Sequence, residues 1–395
     1  MSLAFTRTRF TWLAYLLLAF YGFFLNILGP ITPFLKDELA LSYTVSSLHF
    51  TAFAAGILGI GFGGHLIIQK IGRLRSLWLG AAGMSLSALF LIAGRNPVLT
   101  ISASFLMGLV GSLILAVVPS ALSDQHGEQR AVALAEANVV ASTVAASAPL
   151  MVGWFAGGGG GWRLALGVAA LAPVLMWLIF SRAKVPESPA STHASSAALP
   201  PVYWFYWFAI VLVVSVEFCM TFWSADYFET VLGIPKVNAA QAVSLFLAGM
   251  ILGRLAGSRL VERISARRLV VVSLLVASLG FLMYWQAGSA FLGLSGLFLT
   301  GLGVASLYPL ILSLAIGSAG VNTAKAGSRA TLASGAAILS LPLVLGRLAD
   351  LAGIRLAYGV VALLLAGAFL IIQIAGRLAA SQSSAAGRSI PASKR

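Results

Sequence analysis

The chain matches itself at a single shift of 193 residues, and no other feature limits so tightly what it can fold into. Ala55 and Gly56 fall on Ala248 and Gly249, Gly64 on Gly257, and Lys70 on Arg263. Further along, Gly108 and Leu109 fall on Gly301 and Leu302, Pro149 and Leu150 on Pro342 and Leu343, and Gly153 on Gly346. One ungapped offset holding from residue 55 to residue 153 means that two copies of one unit stand in tandem. Both copies are apolar enough to lie in a bilayer. Paired repeats inside a membrane form an architecture in which one bundle moves against the other around a site between them.

The chain is 59% hydrophobic and 9% charged, which leaves too few charges to keep a soluble surface dispersed. Twelve apolar stretches of roughly 20 residues are each long enough to cross a hydrocarbon core as a helix. They run near 11–35, 46–68, 76–94, 98–122, 131–156, 162–181, 202–230, 238–261, 269–287, 290–318, 328–350 and 356–378. The expected fold is therefore all-α and integral to the membrane, with twelve transmembrane helices in two pseudo-symmetric six-helix bundles.

A net charge of +14 would suggest nucleic acid in a soluble protein, but its distribution speaks for a membrane. With the N-terminus placed inside, 18 of the 25 basic residues fall on inner segments. The outer loops hold six: Lys36, Arg95, Arg163, Lys236, Arg347 and Arg355. This bias puts both termini in the cytoplasm of a plasma-membrane or inner-membrane protein. The partner it implies is the lipid bilayer, not nucleic acid. The first apolar segment follows Arg7 and Arg9 as a signal peptide would, but it is too long for one and lacks a cleavage site, so it is expected to be a retained helix. Cys219 is alone, which excludes a disulfide within the chain.

Residues 182–201, with Pro186, Pro189, Pro200 and Pro201, break the apolar pattern and read as a mobile cytoplasmic linker. They divide an N-terminal bundle, 1–181, from a C-terminal bundle, 202–378. Residues 379–395, rich in Ser and Ala, read as a disordered tail. Because six spans bring the chain back to its starting side, the two units are parallel repeats. The run Gly157 to Gly161 lacks the Lys-Ser/Thr of a phosphate loop and reads as a turn.

An ionisable group near mid-bilayer costs at least about 2.5–3.5 kcal/mol on insertion scales, so each needs a reason. Glu217 lies near the middle of the seventh span, and Asp226 lies further out on the same span. Arg254 lies in the eighth and Glu136 in the fifth. Glu217 is either a proton- or substrate-binding group or the structural partner of Arg254. Thr221 and Trp223 stand near it in sequence, and aromatic faces with sparse polar groups suit a small organic ligand. No nucleophile–base pair and no metal-binding cluster is evident, so no enzyme activity, metal or cofactor is expected.

The loop after the second span carries Gly64, Gln69, Lys70, Gly72 and Arg73, and the loop after the eighth carries Gly257, Glu262, Arg263 and Ser265. This pattern resembles the signature loop of the major facilitator superfamily. Together with twelve spans, two halves and a central linker, the resemblance covers essentially the whole chain. It implies a secondary transporter that works by alternating access. It also implies a cytoplasmic gate made of Gln69, Lys70, Gly72, Arg73, Arg130, Glu262 and Arg263, with Glu262 facing the start of the fifth helix beside Arg130. Gln69 stands where the family has an acid, and Ser265 where it has a glycine. The family's cavity is lined by its first, fourth, seventh and tenth helices, which adds Asn26 and Tyr308 to Glu217, Thr221 and Trp223 as candidate substrate contacts. Glu217 and Asp226 are the candidate proton-coupling groups.

In the family fold the fifth and eighth helices meet across the halves. Glu136 and Arg254 lie about 9 and 12 Å from the inner face by helix rise, and are expected to pair when that face closes. The alternative leaves Arg254 with Glu217. Ser104 stands where proton-driven drug antiporters carry an arginine, so drug export has no support from its own markers. The expectation is a monomer moving a small organic solute with protons. An uncoupled facilitator is one alternative. A non-transporting receptor or sensor is another, although no large soluble segment is present to serve it.

Overall fold

The computed structural model describes residues 5–186, 199–261, 263–319 and 322–388. Among them are eleven helical stretches long and apolar enough to cross a membrane. The longest, Pro97–Gly157, is two helices joined by a tight turn at Gly127–Gln129, which gives twelve spans. In chain order these are α1 Arg9–Glu38, α2 Tyr43–Ile71, α3 Arg73–Ala93, α4 Pro97–His126, α5 Arg130–Gly157 and α6, made of Trp162–Ala170 and Ala172–Phe180. The second half follows with α7 Pro201–Leu232, α8 Lys236–Leu260, α9 Ala266–Trp285, α10 as Ala290–Val304 and Leu307–Ser318, α11 Thr323–Ala352, and α12 as Ile354–Ala357 and Gly359–Arg388.

The breaks have local causes. Proline lacks an N–H and its ring crowds the carbonyl four residues back. Pro173 sits just past the interruption of α6 at Leu171, and Pro309 lies four residues beyond Ala305, where α10 breaks. The last helix runs on to Arg388, beyond residue 378 and into the segment expected as a disordered tail. Alanine there favours continued helix.

The 193-residue repeat reappears in the packing. In the first half, a Cβ added at Gly56 would strike the backbone of Phe105 and Leu109, and one at Gly108 the backbone of Phe53. In the second half, Gly249 meets Phe298 and Leu302, and Gly301 meets Phe246. Each contact is the other shifted by 193. Small residues let membrane helices approach at backbone distance, so the repeated glycines fix α2 on α4 and α8 on α10.

The halves meet along two seams, α2 against α11 and α5 against α8. These are also equivalent under the repeat. Gly153 of α5 packs on Val237 and Gln241 of α8, and Gly346 of α11 packs on Tyr43 and Ser47 of α2. The end of the bundle that holds the start of α1, the end of α6 and the start of α7 is called the linker end below, and the opposite end the distal end.

Candidate functional site

At the distal end the halves are bonded together. Lys36 of α1 pairs with Asp226 of α7, whose side chain is 0% exposed. Thr230 also reaches Asp226, at 3.4 Å, and the Lys36 ammonium lies 4.1 Å over the Tyr43 ring. Lys236, at the start of α8, pairs with Asp37 of α1 and lies 3.3 Å from Glu229. Asp350 of α11 caps the start of α2: its carboxylate accepts from the Tyr43 and Thr44 N–H groups, each at 2.8 Å, and from the Thr44 hydroxyl at 2.5 Å. An acid at a helix N-terminus meets both unsatisfied donors and the positive end of the helix dipole.

Beneath these charges lies an aromatic plug. Phe50 stacks on Phe222 at 4.1 Å and meets Trp223 edge-on at 5.5 Å, while Tyr43 lies 5.6 Å from Trp223. Around Pro342, inside the continuous α11, neighbouring side chains donate to backbone carbonyls: Ser47 (3.3 Å) and Trp223 (3.1 Å) to Pro342, and Thr51 (3.0 Å) to Leu339. Membrane helices tolerate proline where such partners exist.

Towards the linker end the seams part. Along α2 and α11 the contact extends inward to Leu58 against Gly335, whereas Gly61, Gly63 and Gly327 have open space where a side chain would stand. Along α5 and α8, Ser244 donates to the Ala146 carbonyl at 3.0 Å and Arg254 to the Ser142 hydroxyl at 2.8 Å. At and beyond that level a cavity of about 310 Å³, called the wedge below, lies between the two helices. The bonds between the halves named above run from the distal end to the level of Ser142 and Arg254.

Glu217 is at this depth on α7. Its side chain is 22% exposed, and its carboxylate lies 4.0 Å from the guanidinium of Arg254, whose side chain is 43% exposed. Tyr308 of α10 is half-buried and within electrostatic reach of Glu217. Asn26 of α1 is half-buried and returns its amide to the Gly22 carbonyl at 2.8 Å. Thr221 bonds back to the Glu217 carbonyl at 2.9 Å and is buried where α7 meets Gly29 of α1. Trp223 is buried in the distal plug. In this conformation the structure therefore brings together Glu217, Arg254 and Tyr308, and keeps Thr221, Trp223 and Asp226 in the closure beyond them.

The expected Glu136–Arg254 pair is not formed here. Glu136 is held by Arg7, at 2.8 and 2.5 Å, and by the Tyr15 hydroxyl at 3.1 Å. The reason is rotational. Gly153, Ala146 and Ser142 define the stripe of α5 that faces α8, and the wedge continues it to Ala135. Glu136, one residue on, is turned by about 100° and meets α1. Arg254 takes the alternative, within reach of Glu217.

In the loop after α2, Gly72 adopts φ +83°, a conformation that glycine accepts without strain. The equivalent Ser265 sits at φ −57°, so the second loop turns differently and does not need glycine. Arg73 bonds Asp124 at 2.7 Å and the Pro186 carbonyl at 2.9 Å, tying the loop to the end of α4 and the start of the linker. Gln69, Lys70, Arg130 and Arg263 are exposed. Glu262 lies outside the described residues.

Sequence reasoning missed the distal closure. Lys36 and Lys236 were assigned to outer loops but lie on helix ends. A signal is present in the sequence: five of the eleven acids, Asp37, Glu38, Asp226, Glu229 and Asp350, fall at or near distal helix ends, where basic residues are few.

A family profile described as the Major Facilitator Superfamily matches residues 14–260 and 232–391. An uncharacterised MFS-type transporter of Yersinia pestis is 25% identical over 363 residues, covering 87% of this chain and 91% of that protein. A glucose/galactose transporter of Brucella abortus is 24% identical over 377 residues, with 87% and 88% covered. Among solved structures, a bacterial homologue of the human lysosomal transporter Spinster, inward-facing and occupied, superposes with a TM-score of 0.78 at 15% identity, covering 93% and 96% of the two chains. The transporter FucP in its outward conformation gives 0.57 at 18% identity, with 91% and 98% covered.

Proposed function

The chain belongs to the major facilitator superfamily, and on that premise we propose that it moves a small organic solute by proton-coupled alternating access. The observation that carries this reading is the inequality of the two ends. The bonds named above hold the halves together at the distal end, and the cavity between α5 and α8 lies on the linker side of Ala146 and Ser244. A solute at the level of Glu217 has access from one side only, and reaching the other side requires those distal bonds to break as the wedge closes. Two packings of paired rigid bundles supply such a two-state element.

The linker end is taken as cytoplasmic, from the basic bias of its segments. Residues 1–181 and 202–378 are the moving bodies, and a single chain holds the complete site, so the unit of function is a monomer. Glu217 is the coupling group: it lies 4.0 Å from Arg254, which lines the cavity, and an intramembrane charge that can be neutralised lets proton uptake bias the equilibrium. Lys36, Asp226, Lys236, Asp37 and Asp350 form the outer gate, and the loops around Lys70, Gly72, Arg73 and Arg263 serve the inner one. A small polar solute agrees with the Brucella relative's name.

The test is reconstitution into vesicles holding a pH-sensitive dye. Adding the transported solute outside, without an imposed gradient, is expected to change the internal pH, and Glu217→Gln to abolish that change while labelled solute still exchanges. Solute uptake with no proton movement would leave an uncoupled facilitator in place of this reading.

A further inference from the structure

The wedge between α5 and α8 holds a guanidinium whose bonding is incomplete. Arginine carries five N–H donors in a planar fork. Arg254 uses one on the Ser142 hydroxyl at 2.8 Å, and at 4.0 Å its approach to Glu217 is an ion pair without a hydrogen bond. Beside it lies the cavity of about 310 Å³, between Ala135, Asn138 and Ser142 of α5 and Ile251, Arg254 and Ser258 of α8. That volume is at the lower end of the range for small-molecule sites. In its walls the Ser258 hydroxyl donates to the Leu255 carbonyl and one Asn138 amide N–H to the Leu134 carbonyl, which leaves the Ser142 hydroxyl proton and the second Asn138 N–H, both from the opposite half, beside the one cation.

We propose that this pocket takes the carboxylate of a small monocarboxylic acid, bound as the anion by Arg254 while Glu217 takes up a proton. The inference rests on the transporter reading and names the class of its solute. A planar fork accepts a carboxylate through two parallel hydrogen bonds, the strongest arrangement open to it. Two carboxylates against one guanidinium in a low-dielectric site leave an uncompensated negative charge, which is relieved when one takes a proton. The balance is simple. The anion replaces Glu217 as partner of Arg254, a proton from water at the linker end goes to the Glu217 carboxylate, and the net charge of the pocket is unchanged. Arg254 of α8 is the charge acting on Glu217, and Tyr308 of α10 is the other titratable group beside it. Ser142 and Asn138 belong to the opposite half, so a bound anion bridges α5 and α8 and favours closing the wedge. The exposed Lys70, Arg130, Arg259 and Arg329 near the linker end raise the local concentration of anions.

The probes are benzoate, its neutral counterpart benzamide, and glucose, with binding to the purified protein read by thermal shift and fluorescence. Benzoate is expected to bind, and to bind about tenfold or more tightly at about pH 5.5 than at about pH 7.5, with no comparable binding of benzamide. Glu217→Gln is expected to bind benzoate with little dependence on pH. Arg254→Gln is expected to lose about tenfold or more in affinity, and Arg254→Lys to keep part of it, because the charge remains without the fork. Benzamide or glucose binding as well as benzoate would overturn the assignment, as would wild-type affinity in a monodisperse Arg254→Gln. If Arg254→Gln does not fold, Glu217→Gln decides: an unchanged pH dependence overturns the proposal. Proton-coupled glucose uptake that survives Arg254→Gln would reject the carboxylate while leaving the transporter reading intact.

Discussion

The α2–α11 and α5–α8 seams are built from equivalent residues, yet they carry different chemistry. Both close on a glycine, Gly346 and Gly153, and both contain a proline one turn earlier, Pro342 and Pro149. The first seam is held by Asp350 on the start of α2 and by hydroxyls on the carbonyls around Pro342. The second carries Gly157 at the position of Asp350, and at its inner end Arg254 stands where the first half has Gly61. Glu217 likewise stands at the position of Phe24. Where the copies agree, the residues are packing. At these three diverging positions, Asp350, Arg254 and Glu217, the charge stands in the C-terminal half alone. One half thus supplies the ionisable chemistry of the cavity, and the other supplies a neutral face and the partners that close on it.

The largest effect is expected from Asp226→Asn. Removing one partner of a buried ion pair costs about 3–5 kcal/mol, and here the loss falls on the closed distal end. Spin labels at Arg95 and Gly288, equivalent positions at the distal end, should show a longer, more populated distance in a Cys219→Ser background. An unchanged distribution would mean that the Lys36–Asp226 pair does not hold the end shut.

Next come the glycines that the repeat duplicates. Gly108→Ala and Gly301→Ala each force a methyl group into facing backbone, and overpacking of this kind costs about 1–3 kcal/mol. The two should lower the melting temperature alike and add in the double variant, being distant and independent. Unequal losses would break the equivalence of the halves.

Smaller still is Asp350→Ala, which leaves the Ser42 N-cap of α2 in place but removes the carboxylate from its Tyr43 and Thr44 N–H groups, at a cost of about 0.5–2 kcal/mol, and should lengthen the distal distance less than Asp226→Asn. Thr51→Val removes one hydrogen bond to the Leu339 carbonyl, about 0.5–1.5 kcal/mol. It should be barely visible in the same measurement. A larger effect for Thr51→Val than for Asp350→Ala would show that the seam is held at Pro342 instead of at the helix cap.

Much of this was legible in the sequence, and the parts that were not have a common cause. The repeat announced the fold, because Gly56, Gly108, Gly249 and Gly301 are packing residues whose identity carries the geometry. Glu217 stood out because a carboxylate in an apolar span is costly. The distal pairs did not stand out, since Lys36 and Asp226 lie 190 residues apart and each alone looks like an ordinary polar residue near a helix end. Hydropathy ends a span where charges begin, whereas the helices run on, α1 through Lys36 and Asp37 to Glu38. Glu136 meets α1 instead of α8: depth along a helix follows from counting residues, whereas facing requires the partner helix. Gly72 shows the reverse case, a loop glycine whose positive φ gives a physical reason for the motif.

The central claim is that the two ends open in alternation, and one measurement tests it directly. Labels at Arg75 and Arg268 report the linker end, and labels at Arg95 and Gly288 the distal end; each pair joins equivalent positions of the two halves. Both distances, measured in the same lipid at about pH 5.5 and about pH 7.5 and again in Asp226→Asn, should move in opposite directions, one shortening as the other lengthens. Two distances that lengthen together, or that stay fixed under every condition, would contradict it.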